Sequence, residues 1–584
     1  MVFGISWDDP KRVVSLAIGL TMATTAAIPI TSAAATAGPP VSVIVREQPG
    51  SRSDPDAVAA SVGGRVTNRF EIIDGFSATV PASAVHELAA TAGILSVTPD
   101  SSGHLLSTYD PTLDTGSMLN TELRVGARTE WRAGYTGKGV DIALIDSGVA
   151  PVNGLTAPGK IINGPDFSLE APAANLRYID TYGHGTHMAG IIAGRDNTTA
   201  ATPTYATDST DFLGMAPDAR IVNIKVADAH GNTDVSQVLA AIDWVVRHRD
   251  EHGMHIRVLN LSFGTDSTTP YAADPLALAT EIAWRSGIVV VAAAGNDGSG
   301  SGLTDPAYDP TILAVGAATS PTAESDPLDT DDVASFSSAL TTSTRNADLV
   351  APGSHIQSLR DPGSYIDQTY SATGLINSRF FRGSGTSQAT AVTSGAAALI
   401  IQQHPNVTPD QVKALLKATA TPINAASYAQ GSGELNLSAA LAHGVPSVTP
   451  PVLSYTPGGT LDGSRGSSRL VQNGVALAGD SDISGNAFTG LEILTSAAGY
   501  STPLDSEWLS GNWHGTSFAG TAWQVSWHPQ QLWSGAAWFD PNWARHSWST
   551  VGWGSHSWSD GTWSSHSWSG SGYSSHSWSE YSWS

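Results

Sequence analysis

Val140-Asp141-Ile142-Ala143-Leu144-Ile145-Asp146-Ser147-Gly148-Val149 is the stretch on which the fold turns. Its first six residues show little of the polar alternation of a half-exposed strand. They read instead as a strand buried on both faces that ends on Asp-Ser-Gly. Further short apolar runs follow at 221–226, 258–261, 288–294, 312–315 and 349–350, rich in Ile, Val and Ala. Longer helical patterns alternate with them, over 184–193, 235–249, 276–285, 386–403 and 409–418. Strands of this kind separated by helices predict an α/β fold, a parallel sheet flanked by helices, over residues 105–445. Ligand sites in such folds lie at the carboxyl ends of the strands, which directs attention to Asp146 and to the residues after 261 and 293.

Outward from this core the chain changes character twice. Residues 38–104 read as a small separate α+β unit. Strands are expected at 41–45, 65–70, 75–80 and 94–97, and helices at 56–61 and 83–92. That β-α-β-β-α-β order is ferredoxin-like. Residues 446–500 form a connector rich in Gly, Pro and Ser. In 501–584 aromatics recur every fifth residue from Trp533 to Trp583, and His-Ser-Trp recurs at His546, His556, His566 and His576. A period of five is neither a helical stripe nor a strand face, so this is a true repeat, irregular or solenoid-like. Either successive pentads stack their tryptophans in a column, or the tail is a flexible Ser- and Gly-rich chain with adhesive aromatics. Trp suits contact with sugar rings, so cell-wall or polysaccharide attachment is one role for it and a passive tail another.

Composition narrows the function. The 584 residues carry 28 basic and 52 acidic side chains, a net charge of −24, which excludes nucleic acid as a partner. With no cysteine, disulfides, thiol catalysis and thiolate metal sites are excluded too. Lys11 and Arg12 precede an apolar stretch, 13–30, followed by Ala33, Ala35 and Ala37. This predicts a secretory signal over 1–37 and a secreted protein, with an uncleaved anchor as the competing reading. A secreted chain with an attachment tail would also be associated with the cell surface.

Three short segments carry chemistry together: Asp146-Ser147-Gly148, His184-Gly185-Thr186-His187 opening a helix, and Gly385-Thr386-Ser387 at the start of an apolar helix. A serine hydroxyl is a poor nucleophile at neutral pH. It needs an imidazole to take its proton and a carboxylate to hold that imidazole in one tautomer. Taken singly, Asp146 could merely end a strand, His184 could be a satisfied core imidazole and Ser387 a helix cap. All three in the order Asp, His, Ser are a specific signal. They resemble the subtilisin family of serine proteases.

The resemblance implies Ser387 as nucleophile, His184 as general base and acid, and Asp146 as the orienting carboxylate. Ala292-Ala293-Ala294-Gly295-Asn296 is similar to the family's oxyanion segment, which implies Asn296 as side-chain donor beside the Ser387 backbone N–H. Leu261, Ser262, Phe263 and Gly264 resemble the family's substrate-pairing strand, with Ala293, Ala294 and Gly295 as the facing wall. Val350-Ala351-Pro352-Gly353 resembles a structural landmark. Residues 38–104, with Asp74-Gly75-Phe76-Ser77-Ala78, resemble the inhibitory propeptide that plugs the site until cut. The implied protein is a self-processing zymogen acting on protein or peptide substrates, with its own propeptide as intramolecular inhibitor and no cofactor for chemistry. Family members often hold structural calcium. The acidic stretch 324–332 offers oxygen ligands, although a solvated acidic loop reads as well. Gln388 and Ala391 stand where the family usually has Met and Pro. His187 reads as a packing or hydrogen-bonding residue and Asp180 as a turn residue. Two rivals remain: an inactive relative that binds through its tail, and a processing protease with one partner substrate.

Overall fold

The computed structural model describes residues 40–51, 53–100, 109–196, 205–319, 332–451, 456, 458–472, 475–483, 485, 487, 517–518 and 521–522. The expected secretory signal, all of the 324–332 stretch but Asp332, and the repeat over 533–583 lie outside them. The chain divides into two compact units, 1–108 and 109–584. No described helix is long and apolar enough to cross a membrane.

The first unit holds β1 (Pro40–Glu47), α1 (Pro55–Ser61), β2 (Arg65–Phe70), β3 (Gly75–Pro81), α2 (Val85–Ala89) and β4 (Ile94–Pro99). The strands form an antiparallel sheet in the order β2-β3-β1-β4. Val43, Val45, Phe76, Ala78, Val80 and Leu88 make a core of its own. Helix α2 is shorter than the expected 83–92. Ala82–Ala84 is a single 3-10 turn, and after Ala89 the chain bends through Gly93, at φ 89°, into β4.

The second unit enters through α3 (Met118–Val125) and α4 (Ala127–Arg132). Its centre is a seven-stranded sheet in the order β11-β10-β9-β8-β5-β7-β6, parallel at every pair. The strands are β5 (Asp141–Asp146), β6 (Ile161–Asp166), β7 (Arg220–Lys225), β8 (Ile256–Leu261), β9 (Val289–Ala293), β10 (Leu313–Ala318) and β11 (Leu349–Pro352). Strand β5 is buried along its whole length, as a strand covered on both faces must be. Helices α5 (His184–Ala193), α6 (Val235–His248), α7 (Pro275–Arg285), α8 (Tyr365–Gly374), α9 (Thr386–Gln403) and α10 (Pro409–Thr419) follow. Helix α9 lies along β8 to β11 and against α5, while α6 and α7 pack on each other and on β5 and β9. Parallel pairing sets Asp146, Lys225, Leu261 and Ala293 at one edge of the sheet.

Sequence reading missed β6 and a hairpin of β12 (Ile356–Leu359) and β13 (Phe380–Gly383). Strand β6 is an edge strand with partly exposed residues, a Gly164-Pro165 pair and an irregular register between Asn163 and Asp166, so it lacks the apolar run of its neighbours. The expected connector, 446–500, packs against the sheet unit over part of its described length. Leu461, Leu470, Leu477 and Ile483 are fully buried in the same core as the sheet. They convert a Gly- and Ser-rich stretch into a packed element.

Candidate active site

Asp146 closes β5 and His184 opens α5, and the fold presses the two together. His184 Nδ1 lies 2.8 Å from Asp146 Oδ1 and 3.0 Å from Oδ2. Both side chains are buried. The contact needs a close approach of helix to strand end: a Cβ at Gly185 would sit 2.1 Å from the Gly148 carbonyl oxygen. Any side chain there would lever the imidazole away from the carboxylate.

Asp180 does more than make a turn. Its Oδ1 accepts from the Tyr182 and Gly183 N–H groups (3.1 and 2.7 Å) and from the Ser147 hydroxyl (2.8 Å). Its Oδ2 accepts from the Thr186 N–H at 2.7 Å. Ser147 Oγ in turn accepts from the Gly185 N–H at 2.9 Å. Burial pushes the Asp180 carboxyl upward against the pull of these donors. One carboxylate thus ties the first turn of α5 to the end of β5. The sequence signal was present, an acid four residues before His184, but three of its four partners are backbone groups that no side-chain pattern displays. His187 Nε2 lies 3.2 Å from the Phe381 carbonyl oxygen. Burial, aided by neighbouring His184, holds the His187 imidazole down at about 3, so it stays neutral and structural.

Ser387 sits in the first turn of α9, which packs against both α5 and β5. Its hydroxyl donates to the Ser262 carbonyl at 3.1 Å, and Ser262 Oγ donates back to the Ser387 carbonyl at 3.3 Å. Asn260 Nδ2 holds Ser262 Oγ at 2.8 Å, and Ser394 Oγ holds Asn260 Oδ1 at 2.8 Å. The serine is therefore bonded to the strand end that sequence reading assigned to substrate. Asn296 faces the same helix start. Its Oδ1 accepts from the Thr386 N–H at 2.9 Å and from Thr386 Oγ1 at 3.0 Å. Because a backbone N–H only donates, the carboxamide oxygen must be on that side, and Nδ2 turns away from Thr386.

Leu261 ends β8, with Ser262, Phe263 and Gly264 buried after it, and Ala293 ends β9, with Ala294 and Gly295 after it. Thr304 stands between the two segments. A Cβ on Gly264 would lie 2.3 Å from Thr304 Oγ1, and one on Gly295 would lie 2.9 Å from Thr304 Cγ2. Thr304 N–H also donates to the Ala294 carbonyl at 3.2 Å. Among the described residues no group of three or more His, Cys, Asp or Glu could hold a metal ion.

A strand-end carboxylate paired with a helix-start imidazole, and a serine in the first turn of a second helix packed against the first, are the parts that a serine-type hydrolase on an α/β fold requires. Comparison with known families agrees: the pattern described as the Subtilase family matches residues 137–433. The chain belongs to that family and is a subtilisin-like serine peptidase. Serine protease AprX of Bacillus subtilis (strain 168) is 33% identical over 359 residues, 60% of this chain and 75% of that protein. Subtilisin E of the same strain is 33% identical over 387 residues, 66% of this chain and 84% of that protein. Subtilisin of Bacillus pumilus is 35% identical over 311 residues, covering 53% and 92% respectively.

Gln388, beside the serine, is fully buried, and neither end of its carboxamide has a hydrogen-bond partner among the described residues. An unsatisfied buried amide is destabilising. Gln388→Met, which keeps the volume and removes the polar atoms, should therefore stabilise the protein by about 1–3 kcal/mol. Urea unfolding in the Ser387→Ala background, where self-digestion is absent, measures this; an unchanged or lower midpoint would mean the amide is satisfied after all.

Proposed function

We propose that this chain is a secreted endopeptidase in which Ser387, His184 and Asp146 hydrolyse peptide bonds through an acyl-enzyme. The observation that carries the reading is the contact of both Asp146 oxygens with His184 Nδ1 at 2.8 and 3.0 Å. It places the ring proton on Nδ1 and leaves Nε2 as the basic nitrogen. In the resting enzyme the Ser387 hydroxyl rests on the Ser262 carbonyl. For attack the hydroxyl leaves that carbonyl and gives its proton to His184 Nε2 as Oγ attacks the scissile carbonyl carbon. Nε2 then gives that proton to the leaving amine, and water repeats the sequence on the ester. Asn296 Nδ2 and the Ser387 N–H stabilise the tetrahedral oxyanion; loss of such an Asn costs about 10²–10³ in turnover, a range measured in subtilisin rather than in this chain. The residue before the scissile bond lies between Leu261–Gly264 and Ala293–Gly295.

The same reading covers the ends of the chain. Residues 1–37 are the secretory signal, and 38–104 are a propeptide that inhibits in cis, supported by the separate core and antiparallel sheet of this unit. Residues 105–445 carry the catalysis. The 501–584 repeat contacts a wall polymer or polysaccharide, and calcium, if bound, is structural.

The full chain should lose its N-terminal unit near residues 100–110 on expression, whereas Ser387→Ala should stay full length and leave casein intact. Equal processing of both, without added protease, would refute the assignment. A wild type that processes itself but ignores casein would instead identify a dedicated processing enzyme.

Thr304 sets the depth of the first pocket. A side chain wedged against Gly264 and Gly295 leaves room for a small residue, so Ala should be preferred to Phe before the scissile bond. Thr304→Gly should shift the Phe-to-Ala ratio of kcat/KM by at least about tenfold toward Phe. An unchanged ratio would place the pocket elsewhere.

A further inference from the structure

The stretch after the catalytic part, described over 458–472 and 475–483, lies back on the rest of the second unit and joins two loops that sequence reading never connected. One is the loop after β8. Thr265 Oγ1 donates to the Ser464 carbonyl at 2.5 Å, Ser267 Oγ to the Gly463 carbonyl at 3.0 Å, and the Ser467 N–H to Asp266 Oδ1 at 2.8 Å. The approach is close: Gly466 has φ 60°, and a Cβ on it would fall within 2.6 Å of the Asp266 carbonyl oxygen and closer still to its Oδ1. Ser464 Oγ lies 2.8 Å from Asp274 Oδ1 and 3.1 Å from Asp305 Oδ2. A single hydroxyl proton serves one of them. Burial and the nearby Asp274 push the Asp305 carboxyl well up.

The other is the loop after β7. Arg465, 1% exposed, grips Asp234 with two bonds, Nε to Oδ1 at 2.7 Å and Nη2 to Oδ2 at 3.1 Å. Its remaining donors reach the carbonyls of Gly479 and Ser481, both at 2.6 Å. Asp234 also caps α6. The loop it ends begins at Val226, whose N–H donates to the Asp146 carbonyl at 2.8 Å.

Strands β7 and β8 are the two neighbours of β5, the strand that ends in Asp146. One segment therefore holds both loops that flank the site, with four fully buried aliphatic anchors beneath it. We propose that residues 458–483 are a clasp that fixes the spacing of the loops after β7 and β8, with Arg465 and Ser464 as positioning residues for an extended substrate. The clasp touches none of the proposed triad side chains. It acts on residues of a peptide that run along the loops, not on bond cleavage. The inference rests on the proposed location of the cleft at this edge of the sheet.

The test compares Arg465→Met and Ser464→Ala in the full chain on two substrates: an extended peptide anilide and a short acyl ester. Rates are taken per active site titrated with a fluorophosphonate. Arg465→Met should lower kcat/KM on the peptide about tenfold, mainly through KM, and leave the ester within twofold. Ser464→Ala should act in the same sense by about threefold, and Arg465→Lys should recover part of the loss because it restores the charge without the paired geometry. Parallel loss on both substrates, or loss on neither, would overturn the clasp. If Arg465→Met does not fold, Ser464→Ala decides by the same criterion. A wild type that turns over neither substrate and takes no label would refute the triad reading rather than the clasp.

Discussion

The pairing of two buried side chains, Asp146 with Nδ1 of His184, is the constraint around which the second unit is arranged. Taking a carboxylate out of water costs several kcal/mol unless its oxygens are bonded. Here both oxygens are engaged by one imidazole nitrogen, and Oδ1 also accepts from the Ser147 N–H at 2.8 Å. The partner ring is held just as firmly, because the first turn of its helix hangs from Asp180 and Ser147. The pair is thus fixed by backbone groups on both sides before any substrate arrives, which is the condition for preorganised electrostatics.

The parallel sheet turns that local contact into a site. Equal strand direction brings the ends of β7, β5, β8 and β9 to one edge, so the carboxylate, the serine-holding Ser262 and the Asn296 segment are neighbours although they are far apart in sequence. Helix α9 then lies across four strands and presents Ser387 there. Under the proposed function, the bond from Ser387 to the Ser262 carbonyl is a resting arrangement, because that carbonyl lies on the segment assigned to substrate. The clasp follows the same logic one layer out, tying loops whose strands flank Asp146.

The parts of this architecture that sequence reading found are those whose signal is local. The buried strands are legible because both faces demand Ile, Val and Ala, and the starts of α5 and α9 because the Asp146, His184 and Ser387 segments, each ambiguous alone, are specific in that order. Strand β6 was not, since an edge strand with Gly164 and Pro165 carries no apolar run. Asp180 was underrated because all but one of its partners, the Ser147 hydroxyl, are main-chain N–H groups. The 458–483 stretch was read only as a connector of small, turn-forming residues. Gly466 makes a positive-φ turn against Asp266, and a buried arginine is recognisable only once Asp234 is seen opposite it. Thr304 lies in the 303–306 stretch on which sequence reading made pocket depth depend, but no motif aligned that loop, so its place against Gly264 and Gly295 had to come from the structure.

The most direct test of the central claim is to treat the processed protein with a fluorophosphonate and map the adduct by peptide mass spectrometry. The account predicts one modified residue, Ser387, labelled at a rate that falls at least about 10³-fold in His184→Ala, since the hydroxyl then has no base. Labelling at another serine, or labelling of Ser387 at an undiminished rate without the imidazole, would contradict it.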